Sequence, residues 1–260
     1  MNASSPHPLA LVLATVALGA CARAPLRQDA WSSSVAGREV RIAVRYRPQD
    51  AAVAAQVQRV LRVAVPLAER WGPLTPIAIT IHPTHEALEE AAGRPGHPWL
   101  RAWARPGGVE LQSTRTWSRG DASDAELAQL LAHELTHCVT FQAVADPGLG
   151  RTIPVWFREG MAIVTSGESF AAVRTGAPAP GPLAVTAAAY RDDSLRVYAT
   201  ADAAFRALLR AHGEERVRAI LATMREGAAF DDAFWWATGT FLSAFESGWD
   251  ASARSAGSHG

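Results

Sequence analysis

The segment His133-Glu134-Leu135-Thr136-His137 contains the residue types that bind and activate a catalytic zinc ion. In a helix, side chains four residues apart lie on one face, so His133 and His137 can both reach a single metal ion. Glu134 then lies beside that ion, where its carboxylate can act as the general base for a metal-bound water. The pattern therefore indicates metal-assisted hydrolysis, provided that the segment is helical.

The surrounding sequence predicts a helix over residues 125–141, a stretch without Gly or Pro. Ser123 and Glu126 form a capping box, and Asp124 adds negative charge to the first turn, where it suits the helix dipole. Glu134 falls inside the apolar stripe of this helix, where a carboxylate is costly unless a nearby dication compensates it. The alternative is a coincidental match on a surface helix. The stripe itself consists of Leu127, Leu130, Leu131, Cys138 and Phe141.

A third zinc ligand is expected, because catalytic zinc usually has three protein ligands and one water. Pro154 begins a second predicted helix over residues 155–164, which is apolar nearly all round. Glu159 is the carboxylate within it, and metal ligation is the simplest compensation for its burial. The predicted ligand set is therefore His133, His137 and Glu159. The alternative is a salt bridge between Glu159 and a nearby arginine.

These two motifs together resemble the gluzincin zinc peptidases, and most closely the compact bacterial peptidase MA-like group, which is distantly related to thermolysin. The resemblance rests on the histidine motif and on Pro154-x-Trp156-Phe157-x-Glu159-Gly160-x-Ala162, and it covers roughly residues 40–250. The metzincin class is excluded, because Thr140 and Ala143 stand where that class needs Gly and His.

The resemblance implies bound zinc, peptidase activity and an α+β gluzincin fold with two lobes around the zinc site. The N-terminal lobe would hold a small mixed sheet with helices, and the C-terminal lobe would be mostly helical. One position departs from the pattern. Ile163 stands where thermolysin-like enzymes have an acidic residue that supports a metal-binding histidine, so another group must orient that imidazole.

The resemblance also suggests two further roles. Tyr198 occupies a position similar to the oxyanion donor of gluzincins, with Tyr190 as a weaker substitute; the alternative for Tyr198 is a packed aromatic near a helix start. The strand at residues 109–112, and so Val109, Glu110 and Leu111, is the candidate edge that pairs with an extended peptide substrate. An ordinary edge strand is the alternative.

The N-terminus predicts export. Residues 9–20 are apolar but too few to cross a bilayer comfortably, and they end in Leu18-Gly19-Ala20-Cys21, which resembles a bacterial lipobox with Cys21 as the lipidated residue. Residues 1–8 lack Lys and Arg, so an ordinary or uncleaved signal peptide is the alternative. Either reading places the catalytic region outside the cytoplasm, as a periplasmic or outer-membrane lipoprotein or as a secreted protein. Cys138 would then be a small core residue.

Composition fits an ordinary globular domain: 48% of the 260 residues are hydrophobic, 19% are charged, and the net charge is zero. Bulk charge gives no reason to expect a nucleic-acid partner, and a monomer is expected. The predicted organisation is a signal peptide (1–20), a tether (21–37), an N-lobe (38–142), a C-lobe (143–250) and a frayed tail (251–260). Strands are predicted over residues 40–46, 77–81, 100–104 and 109–112, and further helices over 50–70, 84–92, 194–212, 214–225, 231–238 and 240–249.

The sequence therefore favours an exported, lipid-anchored zinc metallopeptidase that acts on a peptide or protein substrate, with Glu134 as general base. Two other functions are open. The chain could be a zinc-binding envelope lipoprotein with a degenerate peptidase fold, or an amidase of cell-wall peptides. Serine-hydrolase and P-loop motifs are absent from the sequence.

Overall fold

The computed structural model describes residues 25–117, 120, 122–144, 153–168, 183–184 and 193–257, with side chains described as far as residue 249. Several sequence-based predictions lie outside these residues. They are the signal peptide, the lipidation site Cys21 and the substitute donor Tyr190.

A mixed sheet forms the N-terminal part of the described chain. Its strands are β1 (Arg27–Val35), β2 (Arg38–Tyr46), β3 (Ile77–His82), β4 (Ala102–Arg105) and β5 (Gly108–Gln112). Their order in the sheet is β1-β2-β3-β5-β4; β2, β3 and β5 are parallel, while the outer strands β1 and β4 pair antiparallel with their neighbours. The predicted alternation is present in β2, where every second side chain is buried.

The prediction of a tether over residues 21–37 is wrong for residues 27–35, which form strand β1. The segment has the sequence RQDAWSSSV, and Trp31 is its one buried residue. Because its small polar side chains do not alternate with hydrophobic ones, the sequence pattern does not predict a strand here. Its stability comes from the antiparallel backbone pairing with β2, in which Trp31 lies opposite Ile42.

The remaining described chain is mainly helical, so the predicted α+β class with a small N-terminal mixed sheet is confirmed. The predicted break between residues 212 and 214 is a kink at Gly213, where φ is 76°. The last helix continues to Gly257, so residues 251–257 belong to a helix and the predicted frayed tail is wrong there. The helices are α1 (Ala51–Glu69), α2 (His85–Ala92), α3 (Asp124–Gln142), α4 (Val155–Ser166), α5 (Ser194–Arg225), α6 (Phe230–Thr238) and α7 (Leu242–Gly257).

Helix α1 buries one face in the hydrophobic core. The segment Pro48–Glu69 is long and apolar enough to cross a membrane, yet Val57, Leu61 and Val65 are fully buried inside the protein. Helix α1 packs against β2 and α3, and this packing accounts for its apolar face.

Trp71, just beyond α1, connects that helix to the C-terminal helices. The buried indole donates a hydrogen bond from Nε1 to the Thr165 hydroxyl on α4 at 2.5 Å. Its ring also packs edge-on against Phe205 of α5, with 5.7 Å between centroids. Next to it, Arg70 forms an ion pair with Glu214 of α5. Helix α4 is therefore held between α1 and α5.

Helices α4 and α5 approach closely at Gly160. A Cβ placed on Gly160 would overlap the backbone carbonyl of Ala201 and the Cβ of Phe205. Glycine therefore allows α4 to lie directly against α5, and this contact fixes the position of Glu159, the preceding residue.

Changing Gly160 to Ala should destabilise the protein by about 3 kcal/mol, the upper part of the range for overpacking, because backbone atoms of α5 would have to move. The matched control is Gly248→Ala in α7, where an added Cβ meets nothing within 4 Å and alanine should stabilise the helix slightly. Urea unfolding of both variants provides the measurement. Equal midpoints for the two would contradict the close contact.

Candidate metal centre

The histidine motif lies on α3, which begins and ends one residue outside the predicted range of 125–141 and has the predicted capping box. The Ser123 side chain accepts a hydrogen bond from the Glu126 backbone, and the Glu126 carboxylate accepts one from the Ser123 backbone. Helix α3 packs against α1, α4 and β4. Cys138 is fully buried, as predicted for a core residue, and burial raises the pKa of its thiol.

The structure brings together His133, His137 and Glu159. The two Nε2 atoms are 3.2 Å apart. The Oε2 atom of Glu159 lies 3.2 Å from Nε2 of His137 and 3.7 Å from Nε2 of His133. All three side chains are nearly buried, with 11%, 10% and 5% of their surfaces exposed. Three donor atoms therefore converge on one small volume.

This triangle fits a zinc ion. The point equidistant from the three atoms lies about 2.0 Å from each, which matches the ~2.0–2.2 Å bonds from zinc to imidazole nitrogen and carboxylate oxygen. Two imidazole nitrogens that both present lone pairs repel each other at this separation unless a cation or a proton lies between them. The donor set of two imidazoles and one carboxylate is one that catalytic zinc uses. These three residues could hold such an ion.

Glu159 contacts both kinds of partner that the sequence analysis names, the metal-site imidazoles and an arginine. Its Oε2 atom faces the imidazoles, whereas its Oε1 atom lies 3.7 Å from Nε of Arg158. Burial by itself raises the pKa of Glu159, but the electrostatic attraction of the two neighbouring imidazoles, His137 first, holds that pKa well below its usual range. Glu159 is therefore a charged carboxylate aimed at the two imidazoles.

Glu134 lies next to this group with only 8% of its surface exposed. Burial is the main reason that its pKa is raised above the ordinary value; the neighbouring imidazoles and a hydrogen bond from the backbone N–H of Ala104 oppose the shift. A buried carboxylate beside a metal site is suited to accept and return a proton.

Strand β4 lies along this site and forms the edge of the sheet. The backbone N–H of Gln112 donates to the carbonyl of Arg101 at 2.9 Å, and the strands pair with Ala104 opposite Val109. Because antiparallel pairing alternates, the backbone groups of Ala102 and Ala104 point away from β5 toward the free edge. The bond from Ala104 to Glu134 agrees with that direction.

The prediction that residues 109–112 form the edge strand is wrong. Strand β5, which contains Val109, Glu110 and Leu111, lies between β3 and β4. Val109 and Leu111 are buried, and the Glu110 carboxylate is 2.7 Å from Nε2 of His82. The physical reason is burial: β5 is covered on both sides, whereas β4 is short and half exposed.

Tyr198 lies in the first turns of α5, partly buried against the hydrophobic core. It precedes Ala201, the residue that contacts Gly160, by about one helical turn. This placement is compatible with both the packed aromatic and the oxyanion donor, and the donor role stays a prediction.

Sequence reasoning missed Glu168. Its Oε2 atom lies 3.0 Å from Nδ1 of His133, the ring nitrogen that faces away from the centre of the triangle. Ile163, the position where an acid is expected by resemblance, is fully buried in the core. The available signal was that Glu168 is the first acidic residue after Glu159 and directly follows Gly167, a natural helix end.

The sequence matches no family model and no curated protein. Solved structures with similar folds include an M1 zinc metallopeptidase from Deinococcus radiodurans, with a TM-score of 0.55, 16% identity, and coverage of 87% of this chain and 51% of that one. A variant of an M1 zinc metallopeptidase from the same organism, bound to a Tyr-Ser-Ala substrate, gives a TM-score of 0.51 at 16% identity, with 88% and 51% coverage. Aminopeptidase A from Legionella pneumophila, in complex with aspartic acid, gives 0.54 at 16% identity, with 86% and 28% coverage.

The fold is therefore similar to that of the M1 zinc metallopeptidases. The chain spans about half the length of the two Deinococcus radiodurans structures and less of the Legionella pneumophila structure. The narrower assignment to the peptidase MA-like group and the division into two lobes stay predictions.

Proposed function

We propose that this protein is a zinc metallopeptidase that hydrolyses peptide bonds. The observation that carries the proposal is the triangle of His133, His137 and Glu159, with the buried carboxylate of Glu134 beside it. His133, His137 and Glu159 would hold the ion. Bound zinc would polarise the scissile carbonyl and lower the pKa of a coordinated water.

The other residues supply the proton transfers and the substrate contacts. Glu134, the buried carboxylate beside these three residues, takes the proton of the attacking water and passes it to the leaving nitrogen. Tyr198 would donate a hydrogen bond to the developing oxyanion, since a phenol remains a donor at neutral pH.

An extended peptide is the substrate class that the edge strand favours. Ala102 and Ala104 direct backbone groups to the free edge of β4, beside Glu134. A peptide that pairs with this edge would have its backbone next to the metal site. The Tyr-Ser-Ala substrate in one structurally similar enzyme supports a peptide here.

The activity is tested by metal removal and return. The mature protein should cleave an unstructured protein such as casein. It should lose this activity when a chelator removes the zinc, and regain it when one equivalent of zinc is added back. Gel electrophoresis of the digest gives the readout. Cleavage that persists after complete metal removal would contradict the proposal.

An exported, lipid-anchored location is part of the proposal and is supported by the N-terminal sequence alone. Cys21 would carry the lipid, in the periplasm or on the outer membrane, with secretion as the alternative. Partition of the protein into a detergent phase, with loss of that partition in Cys21→Ser, distinguishes anchoring from secretion.

The alternative function, a zinc-binding lipoprotein without catalysis, rests on Ile163, which stands where thermolysin-like enzymes have an acidic residue. Glu168 now provides an acidic partner for His133, so this argument against catalysis loses its basis. No observation favours the cell-wall amidase over the peptidase.

A further inference from the structure

We propose that Glu168 is a positioning residue that fixes the tautomer and ring orientation of His133 for metal binding. The inference rests on the zinc site of the proposed function and adds a residue that neither the motifs nor the comparisons assign. It follows from the contacts that His133 makes through its two ring nitrogens.

The first contact involves Nδ1. A carboxylate only accepts hydrogen bonds, so the 3.0 Å contact between Oε2 of Glu168 and Nδ1 of His133 requires a hydrogen on that nitrogen. In a neutral imidazole the other nitrogen then carries the lone pair. That nitrogen, Nε2, is the one facing His137 and Glu159. Glu168 therefore selects the tautomer that can bind a metal at the triangle.

The opposite tautomer would direct a hydrogen into the triangle and remove one of its three donors. His137 lacks a comparable restraint in the described part of the chain, where its Nδ1 atom is buried and no residue accepts a hydrogen bond from it. Among the described residues, Glu168 is thus the side chain that fixes an imidazole tautomer at this site.

The end of α4 holds Glu168 in place. Gly167 ends the helix in the left-handed conformation, with φ of 73°, which turns the chain toward α3. The Ser166 hydroxyl accepts a hydrogen bond from the Glu168 backbone N–H at 3.3 Å. The Ser166 carbonyl accepts one from the Gln129 side chain of α3 at 3.4 Å. The cap is thus tied to the helix that carries His133.

Helix α4 therefore contacts His133 at both nitrogens, through Glu159 within the helix and through Glu168 at its end. The side chain of Glu168 is 27% exposed, so it can be replaced without opening the hydrophobic core. This exposure makes a direct substitution informative.

The test measures zinc affinity of the full chain by competition with a chromophoric chelator. Glu168→Ala should weaken zinc binding about 10–100-fold, the usual effect of removing such a partner. Glu168→Gln should lose clearly less zinc affinity than Glu168→Ala, because its amide oxygen still accepts the hydrogen bond from Nδ1 of His133. The visible absorption of the cobalt-substituted protein should change in Glu168→Ala, since the geometry at His133 changes.

A matched control separates positioning from general stability. Glu126→Ala breaks the capping box of α3, the helix that carries both histidines, and should lower the urea midpoint of unfolding. Its zinc affinity and cobalt spectrum should equal those of the wild type. Equal weakening in Glu126→Ala and Glu168→Ala would overturn the positioning role.

The outcomes also separate this inference from the proposed function. If the wild type binds one zinc ion and Glu168→Ala binds it equally tightly, the inference fails and the peptidase proposal stands. If the wild type binds no zinc, both fail. Weaker binding in Glu168→Ala, with partial recovery in Glu168→Gln, supports the inference.

Discussion

Replacing Glu134 with Gln should leave zinc bound and reduce peptide hydrolysis by roughly 10²–10⁴-fold, the usual contribution of a general base. Glutamine has nearly the same shape, and Glu134 is not one of the three converging donors, so the site should keep its metal. The amide cannot accept and return a proton as the buried carboxylate can. Turnover of a fluorogenic peptide, alongside zinc content, gives the measurement.

The same substitution at Glu126, on the same helix, provides the control. Gln also serves in a capping box, so Glu126→Gln should keep both zinc and activity. Full activity in Glu134→Gln would remove the proposed mechanism.

The inactive Glu134→Gln protein can also be used to locate the substrate. A bound peptide that pairs with β4 should slow amide hydrogen exchange at Ala102, whose backbone N–H faces the free edge. The interior strand β5 serves as the reference, because its amides are already paired on both sides. Unchanged exchange at β4 would place the peptide elsewhere.

Removing the Glu159 carboxylate should abolish stoichiometric zinc binding. Glu159→Ala leaves two imidazoles and takes away the negative charge that lies 3.2 Å from His137. Two neutral nitrogen donors hold a dication far less tightly than a complete set of three protein ligands. Metal analysis after gel filtration should show one zinc per chain in the wild type and almost none in the variant, with activity lost in parallel.

A second carboxylate in contact with α4 provides the control for this substitution. Glu246 accepts a hydrogen bond from the Trp156 indole at 2.9 Å, so Glu246→Ala disturbs the packing of α4 without touching the centre. It should retain zinc. A Glu159→Ala protein that keeps a full equivalent of zinc would show that the third ligand is another residue.

The local features of the site are the ones that the sequence predicts well. The start of α3 is set by Ser123 and Glu126, three residues apart, and the alignment of His133 with His137 follows from helix geometry. These relations involve neighbours along the chain, so they do not depend on how the chain folds back. Glu159 could be predicted as a ligand because its carboxylate lies on a nearly all-apolar helix, and a buried charge requires a partner.

The order of the strands could not be obtained in this way. The sequence shows two strands around the Pro106-Gly107 turn, but either one could face outward in a hairpin. Strand β5 pairs in parallel with β3, so β5 lies inside the sheet and β4 forms its edge. Strand β1 is a similar case, because its polar residues gain their structure from backbone bonds to β2.

By itself the sequence determined the metal-binding residue types, the helices that carry them and the buried carboxylates that need a cation. Only the tertiary structure brought Glu159 to the two imidazoles, Ala104 to Glu134 and Glu168 to His133. The difference has a physical cause. Helix formation and capping depend on interactions over three or four residues, whereas these contacts join segments separated by 22 or more positions. Their distances are set by the packing of α3 against α4 and β4.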